Sequence, residues 1–345
     1  GYVTAAFAPN PSLNRAFNFN QGFDLYDDDF QIGVRGAQEF ETARRINERT
    51  LAWLRANRGD RRKPFFAYLH YRDVHAPYVP PPPYDKMFDR PGAGRPLTEF
   101  EYKSQPPDLR RPRRHRDLDT YVELYDGEIR YTDDHLARFL ETLAKEGLLD
   151  DTVIFLTADH GESFLEHRSW THGSGLYEEL TRVPLLLVLP GEKHKGKRVE
   201  VPVQTTDIYP TVLELLDVEI PSQLQGRSLF DAIEGKADPK RPVFSEALVS
   251  RRHRPWDFGQ MVAVRSGGWK LIYNRWGRSG ELYDLARDPG ETQDLVDLHP
   301  ERARQLLRMI AAQDRENAKR SHRVQGTEEL PEDVVEGLKS LGYVR

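Results

Sequence analysis

The sequence predicts an α/β fold, a mostly parallel sheet sandwiched by helices over residues 1–235, followed by a smaller antiparallel-sheet-plus-helix domain over 236–345. Two observations carry this prediction. Up to about residue 235, short apolar runs alternate with amphipathic helical stretches, the pattern of a parallel sheet covered on both faces. Beyond it, strand-like runs follow one another with only turn residues between them, the pattern of a small antiparallel sheet. With 345 residues, 38% of them apolar, the chain has material for a large core and a smaller one.

The elements follow in order. "GYVTAAFAPNP" opens at once on a strand-like stretch at residues 2–7 and has no initiating Met, which reads as the remainder of a longer protein. Residues 36–58 place Ala43, Ile46, Leu51 and Leu54 at helical spacing. "FFAYL" then reads as a buried strand, and a polar loop with His70, Asp73 and His75 follows it. Residues 79–116, rich in Pro, Gly and Arg, read as a long surface excursion. Residues 121–151 form an amphipathic helix with Leu124, Ile129, Leu136, Leu140 and Leu143 on its inner face and Gly147 as its stop. The apolar run at 153–156 and "VPLLLVLPG" at 183–191 read as buried parallel strands, and 206–218 as a helix entered through a Thr-Asp cap. "RPVFSEAL", "QMVAVRSGGWKLIYN" and "GELYDLARDPGE" supply the antiparallel strands, with a helix at 299–316 to cover one face.

Composition narrows the function. The net charge of −5 gives no reason to expect a nucleic-acid partner; the basic run at 110–116 reads first as a solvated loop, with a lip attracting an anionic substrate as the alternative. No stretch is long and apolar enough to span a membrane, and no signal-peptide pattern is present. Zero cysteines exclude a disulfide framework, a thiolate metal site and a Cys nucleophile within these residues.

The chemistry concentrates in "TADHGESFLEHRSWTHGSGLYEEL", directly after the 153–156 strand. Ligands of open α/β sheets bind at the carboxyl ends of strands. Asp159 and His160 sit at such an end, and a carboxylate beside an imidazole suits a divalent metal. Gly161 lets the backbone pass close to a ligand. His172 is placed to donate to an anion or to protonate a leaving group. His75 follows another strand and is expected on the same rim. Glu162, Glu166 and His167 read first as solvated loop positions.

These residues resemble the sulfatase family of the alkaline-phosphatase superfamily. The resemblance extends through "FFAYLHYRDVHAPYVPP", "TTDIYPTVLELLDVEIPSQLQGRSLF", "AVRSGGWKLIYN", "GELYDLARDPGETQDL" and the ending "LKSLGYVR". It implies an alkaline-phosphatase-like fold and a metal-dependent hydrolase of small-molecule or carbohydrate sulfate esters. Asp159 and His160 fall on metal ligands, His172 on a sulfate-contacting cation, and His75 on a histidine near the scissile ester. Calcium is the metal implied, with manganese or zinc as alternatives because His160 stands where many members carry Asn. A periplasmic or secreted location goes with the family.

Three departures qualify the resemblance. The Cys/Ser-x-Pro-x-Arg motif that becomes formylglycine is absent, as is the Asp-Asp pair of further metal ligands. Both precede the equivalent of Gly1 in the family, so the chain reads as a sulfatase lacking its N-terminal part and inactive alone. His160 in place of Asn is the second departure. The third is "APNP" in place of a frequent G-K-W-H stretch, which leaves Asn10 as the substrate-binding candidate there. A phosphonate or phosphate ester hydrolase is the enzyme alternative. A non-catalytic pseudo-enzyme is the other, and the joint presence of Asp159, His160, His172 and His75 argues against it.

Overall fold

The computed structural model describes residues 1–28, 42–57, 63–92, 94–106, 109, 115–173, 175–251 and 254–320. The start of the helix read at 36–58, most of the basic run at 110–116 and the ending "LKSLGYVR" lie outside the described residues. Two compact units result, Gly1–Leu149 and a second that begins at Asp150. The change of strand pattern near residue 235 falls inside the second unit.

In the first unit, β1 (Val3–Phe7) lies between β2 (Leu25–Asp27) and β3 (Phe65–Leu69) in a parallel sheet. Ala5 and Phe7 of β1 are buried against Ile46 of α1 (Thr42–Ala56), and small residues on the strand let that helix approach. β3 alternates: Phe65, Ala67 and Leu69 are part-buried, while Phe66 and Tyr68 are exposed. Helix α3 (Leu118–Lys145) begins under an Asp117 cap and ends at Gly147, whose φ of +64° is the left-handed turn a glycine adopts readily.

The inner face of α3 differs from the leucine stripe read in the sequence. Tyr121, Gly127, Glu128, Tyr131, Phe139 and Leu143 are buried, whereas Ile129 is 43% exposed. The reason is close packing of the 79–116 excursion. A Cβ on Gly127 would meet the Tyr84 carbonyl oxygen at 2.6 Å. That excursion is therefore not all surface: it buries Tyr84, Gln105 and Leu109 and carries a short helix, α2 (Glu99–Ser104), with a Thr98–Glu101 capping box.

In the second unit the apolar runs become β4 (Ile154–Thr157) and β7 (Leu185–Val188), and they pair antiparallel, Ile154 opposite Val188. The expectation of two parallel strands fails locally, because the intervening segment turns back on itself through a hairpin and a one-turn helix. Apolar content does not encode strand direction. β7 is also half-exposed, with Leu186 at 54%. α5 (Ile208–Leu215) starts after Asp207, but Asp207 does not cap it. Its carboxylate is fully buried and takes both Arg241 guanidinium nitrogens, Oδ1···Nη2 2.7 Å and Oδ2···Nη1 2.9 Å. A further short helix, α6 (Phe230–Ile233), precedes the C-terminal sheet.

That sheet is antiparallel in the order β11–β10–β9–β8, formed by Val243–Arg251, Arg254–Ser266, Trp269–Asn274 and Ser279–Asp284 as β8 to β11. Gly267-Gly268, both at positive φ, make the two-residue turn between β9 and β10. Its two faces follow the period of the pleat. Val262, Val264, Leu271 and Leu282 pack under Leu306 and Ile310 of α7 (Pro300–Arg320). Ala263, Ile272 and Tyr283 pack on the other side, against Leu176 and Tyr177.

Candidate active site

Asp159 and His160 leave the carboxyl end of β4. Asp159 is 68% exposed at its side chain and His160 36%. His160 Nδ1 lies 2.8 Å from the Gly161 carbonyl oxygen. A carbonyl only accepts, so Nδ1 carries a proton, and in the neutral ring the lone pair is on Nε2. That lone-pair nitrogen stands 3.7 Å from Asp159 Oδ2. Gly161 serves a different purpose from the one read in the sequence. A Cβ there would sit 2.0 Å from the Glu179 carbonyl oxygen, so the glycine admits α4 (Glu178–Thr181) rather than a ligand.

The chain next folds into a two-stranded hairpin, β5 (Ser163–Phe164) and β6 (Trp170–Thr171). Ser163 pairs with Thr171 and Phe164 with Trp170. One step further, Glu162 and His172 face each other as cross-strand neighbours. Glu162 Oε1 is 3.1 Å from His172 Nδ1, with the carboxylate 4% and the imidazole 17% exposed. The His172 ring stacks on His160, centroids 4.0 Å apart. Thr171 has φ +56°, a strained conformation for a β-branched residue, directly before His172. Asp159, His160 and His172 thus come together, and Glu162, read as solvated, belongs with them. Glu166 instead accepts from the Phe164 amide within the hairpin, at 2.5 Å.

The segment after His172 is anchored on the C-terminal sheet. Glu178 Oε1 pairs with Lys270 Nζ at 2.9 Å and Oε2 with Arg265 Nη1 at 3.1 Å. Glu291 Oε1, fully buried, reaches the same ammonium at 2.9 Å, and its other oxygen accepts from the Glu178 amide at 2.5 Å. Burial pushes the Glu291 carboxyl up, and the Lys270 ammonium beside it works in the opposite direction.

The remaining candidates lie in the first unit. Asn10 caps a helical turn through Oδ1, taking the Ser12 amide at 2.9 Å, and its Nδ2 faces His70 Nε2 at 3.1 Å. Its side chain is committed to fold contacts at both ends. His75 Nδ1 lies 2.6 Å from the Ala76 carbonyl oxygen, the shorter of its contacts, with Arg72 Nη2 at 3.5 Å from the same nitrogen. Two buried carboxylates hold its loop. Asp73 accepts from the amides of Thr42 and Ala43 at the start of α1, at 2.7 and 2.6 Å. Glu128 Oε1 accepts from the Val79 amide at 2.8 Å. Burial pushes Asp73 up to about 6 against the pull of those donors, and raises Glu128 in the same direction.

The sulfatase family model matches residues 1–218, well over half of the chain, and carries the Asp159–His172 cluster inside the match. The chain belongs to the sulfatase family. A second model, N-sulphoglucosamine sulphohydrolase C-terminal, matches residues 166–316. An uncharacterized sulfatase of Escherichia coli is 28% identical over 281 residues, 75% of this chain and 52% of the relative. The chain spans between 31% and 52% of the length of such curated relatives. Among solved structures, a protein in complex with its substrate D-glucosamine-2-N,6-O-disulfate superposes with TM-score 0.69 at 19% identity, over 92% of this chain and 80% of that one. A phosphonate monoester hydrolase of Agrobacterium radiobacter follows with TM-score 0.66 at 20% identity, over 93% and 79%. The alkaline-phosphatase-like α/β fold with a C-terminal antiparallel sheet is thereby shown. Among the described residues, no helix is long and apolar enough to cross a membrane, and no three acidic or histidine side chains gather as an ion cage.

Proposed function

We propose that this chain provides the acid–base and part of the metal-binding machinery of a hydrolase that cleaves sulfate esters of sugars or other small molecules. One observation carries the reading: a lone-pair imidazole and a carboxylate, His160 and Asp159, adjoin a second imidazole, His172, backed by the buried Glu162. The donor types fit a divalent ion, and a 3.7 Å separation lets one ion touch both at ordinary ligand distances of about 2.0–2.5 Å. Two donors are part of a set, so the remaining ligands and the formylglycine nucleophile are assigned to protein outside residues 1–345. Calcium is the first choice of ion, and manganese or zinc suit the imidazole better. When bound, the ion neutralises charge on the sulfate oxygens.

The chain's own residues do the rest. Glu162 orients His172 by accepting from Nδ1, and in the imidazolium form Nε2 carries the second proton, the one handed to the departing ester oxygen as the ring returns to neutral. His75 keeps the role that the family resemblance gives it, a histidine for the ester, and Asp73 and Glu128 hold its loop. The glucosamine disulfate of the structural neighbour and the sulphoglucosamine sulphohydrolase match favour a sulfated sugar.

The test is a leaving-group series in protein that carries the nucleophile segment. His172→Ala should lower turnover of sugar sulfates, whose leaving oxygens are basic, about 10²-fold or more, and that of nitrophenyl sulfate far less. Equal losses on both would reassign His172 to binding, and preferential cleavage of phosphonate monoesters would move the activity to that class. Residues 1–345 alone, assayed with nitrophenyl sulfate and calcium or manganese, should be inactive. Turnover abolished by Asp159→Ala would place a nucleophile within them.

A further inference from the structure

His167, at the turn of the β5–β6 hairpin, makes two contacts that no neutral histidine satisfies. Its Nδ1 lies 2.8 Å from Glu179 Oε1, and its Nε2 lies 3.0 Å from the Glu291 carbonyl oxygen. An ionised carboxylate and a carbonyl are both acceptors, whereas a neutral imidazole carries one N–H. The ring is 14% exposed and stacks on Tyr177 at 3.7 Å with a 4° interplanar angle, so neither nitrogen can turn away to water. The aromatic face beneath it favours a cation. The partners belong to three separate pieces of structure: the hairpin that carries His172, α4 that backs Gly161 beside His160, and the Glu291 turn of the C-terminal domain.

We infer that His167 is a fixed imidazolium whose charge positions the His172 hairpin against the Asp159–His160 turn, a role that rests on the functional reading above only for its catalytic consequence. Burial alone would lower its pKa; the Glu291 carbonyl and the Glu179 carboxylate outweigh burial and raise it. Glu291 acts on the ring through space, while the Glu178 and Glu291 carboxylates share Lys270, and Tyr177 donates its hydroxyl to Glu281 at 2.8 Å. Because the folded pKa is raised, the stabilisation is fully present below the ordinary histidine value of about 6.5 and is lost as pH rises through the folded value.

The first measurement needs no activity. In the chain labelled with nitrogen-15 histidine, with His167→Gln supplying the assignment, both His167 ring nitrogens should remain protonated at pH 6.5, where an ordinary histidine is about half neutral. A ring with a single N–H there, including one whose proton has moved to Glu179, overturns the inference. His167→Gln should lower Tm by about 4–8 °C at pH 6 and less at high pH, while His167→Arg, which keeps charge and two donors, should hold Tm at both. A loss that is the same at both pH values, or no recovery with Arg, speaks against the charge. In protein carrying the nucleophile segment, His167→Gln should reduce kcat roughly tenfold or more with KM little changed, and Arg should restore it. Failure of Arg to restore kcat while the imidazolium is seen would overturn the positioning role; an inactive wild type would instead count against the proposed function.

Discussion

Asp207→Asn should be among the most damaging isosteric changes in the second unit. Asp207 is wholly buried, and four donors converge on it: the two Arg241 nitrogens at 2.7 and 2.9 Å, the Arg227 amide at 2.8 Å and the Gln204 amide at 3.1 Å. An asparagine has one acceptor oxygen for this set and turns an amide NH₂ toward the others. It also strands the Arg241 charge, whose side chain is 10% exposed. Breaking one side of a buried pair costs about 3–5 kcal/mol. At roughly 2–4 °C per kcal/mol for a unit of this size, Tm should fall by about 6–20 °C. Arg241→Met should cost a similar amount by leaving the carboxylate alone. The double variant Asp207→Asn/Arg241→Met should be no less stable than the worse single, a coupling of about 3 kcal/mol or more. Urea unfolding followed by circular dichroism measures all four proteins. Single variants within about 1 kcal/mol of wild type, or additive losses in the double, would falsify the reasoning that the pair is buried and mutually dependent.

Gly161→Ala places a Cβ 2.0 Å from the backbone oxygen of Glu179, which cannot swing aside as a side chain would, and should cost about 2–4 kcal/mol; an effect below about 0.5 kcal/mol in urea melts would show that α4 yields freely. Asp73, pushed up to about 6 in the fold, stabilises the first unit most below its ordinary pKa near 4, and that contribution fades as pH rises through 6. Buried Glu128 acts in the same direction. Wild-type stability should therefore decline by on the order of 2–3 kcal/mol between pH 4 and 7 from Asp73 alone, and Asp73→Asn should flatten that slope; equal slopes in the two proteins would contradict it. Leu306→Ala should cost about 2–5 kcal/mol, since the side chain is fully buried between α7 and the sheet, while Leu307→Ala, 36% exposed, should cost less than about 1 kcal/mol; similar losses would mean that α7 is rotated.

The alternation of elements, the antiparallel sheet and the α7 cover were legible because each rests on a local period. What the period does not carry was read less well. Strand direction at β4 and β7 depends on how the intervening residues turn back, and the apolar runs are silent on it. The buried face of α3 was read only in part: Leu143 is on it, but tyrosines, Gly127 and Glu128 form most of the rest, and an aliphatic count looks only for leucine and isoleucine. Asp159, His160 and His172 were found from residue type at a strand end. Glu162 was legible in principle, since Phe164 and Trp170 flank a five-residue loop and a hairpin through them sets Glu162 opposite His172. His167 and Lys270 were not, because their partners Glu291 and Glu178 lie 124 and 92 residues away. Nothing local in a sequence reports such distances.

The sheet formed by β8 to β11 holds α7 on one face and Leu176–Tyr177 on the other, and this bears on how such proteins can be recombined. A chimera joined at residue 235, where the strand pattern changes, would seat one parent's hairpin and α4 on the other parent's sheet. Tyr177 would then meet a foreign surface, and Glu178 would need its lysine and arginine at the corresponding places. A block exchanged from Asp150 through α7 moves each of those partners together. Swapping specificity between relatives by the shorter graft should therefore give inclusion bodies more often than hybrids, and library designs gain by keeping residues 150–320 whole.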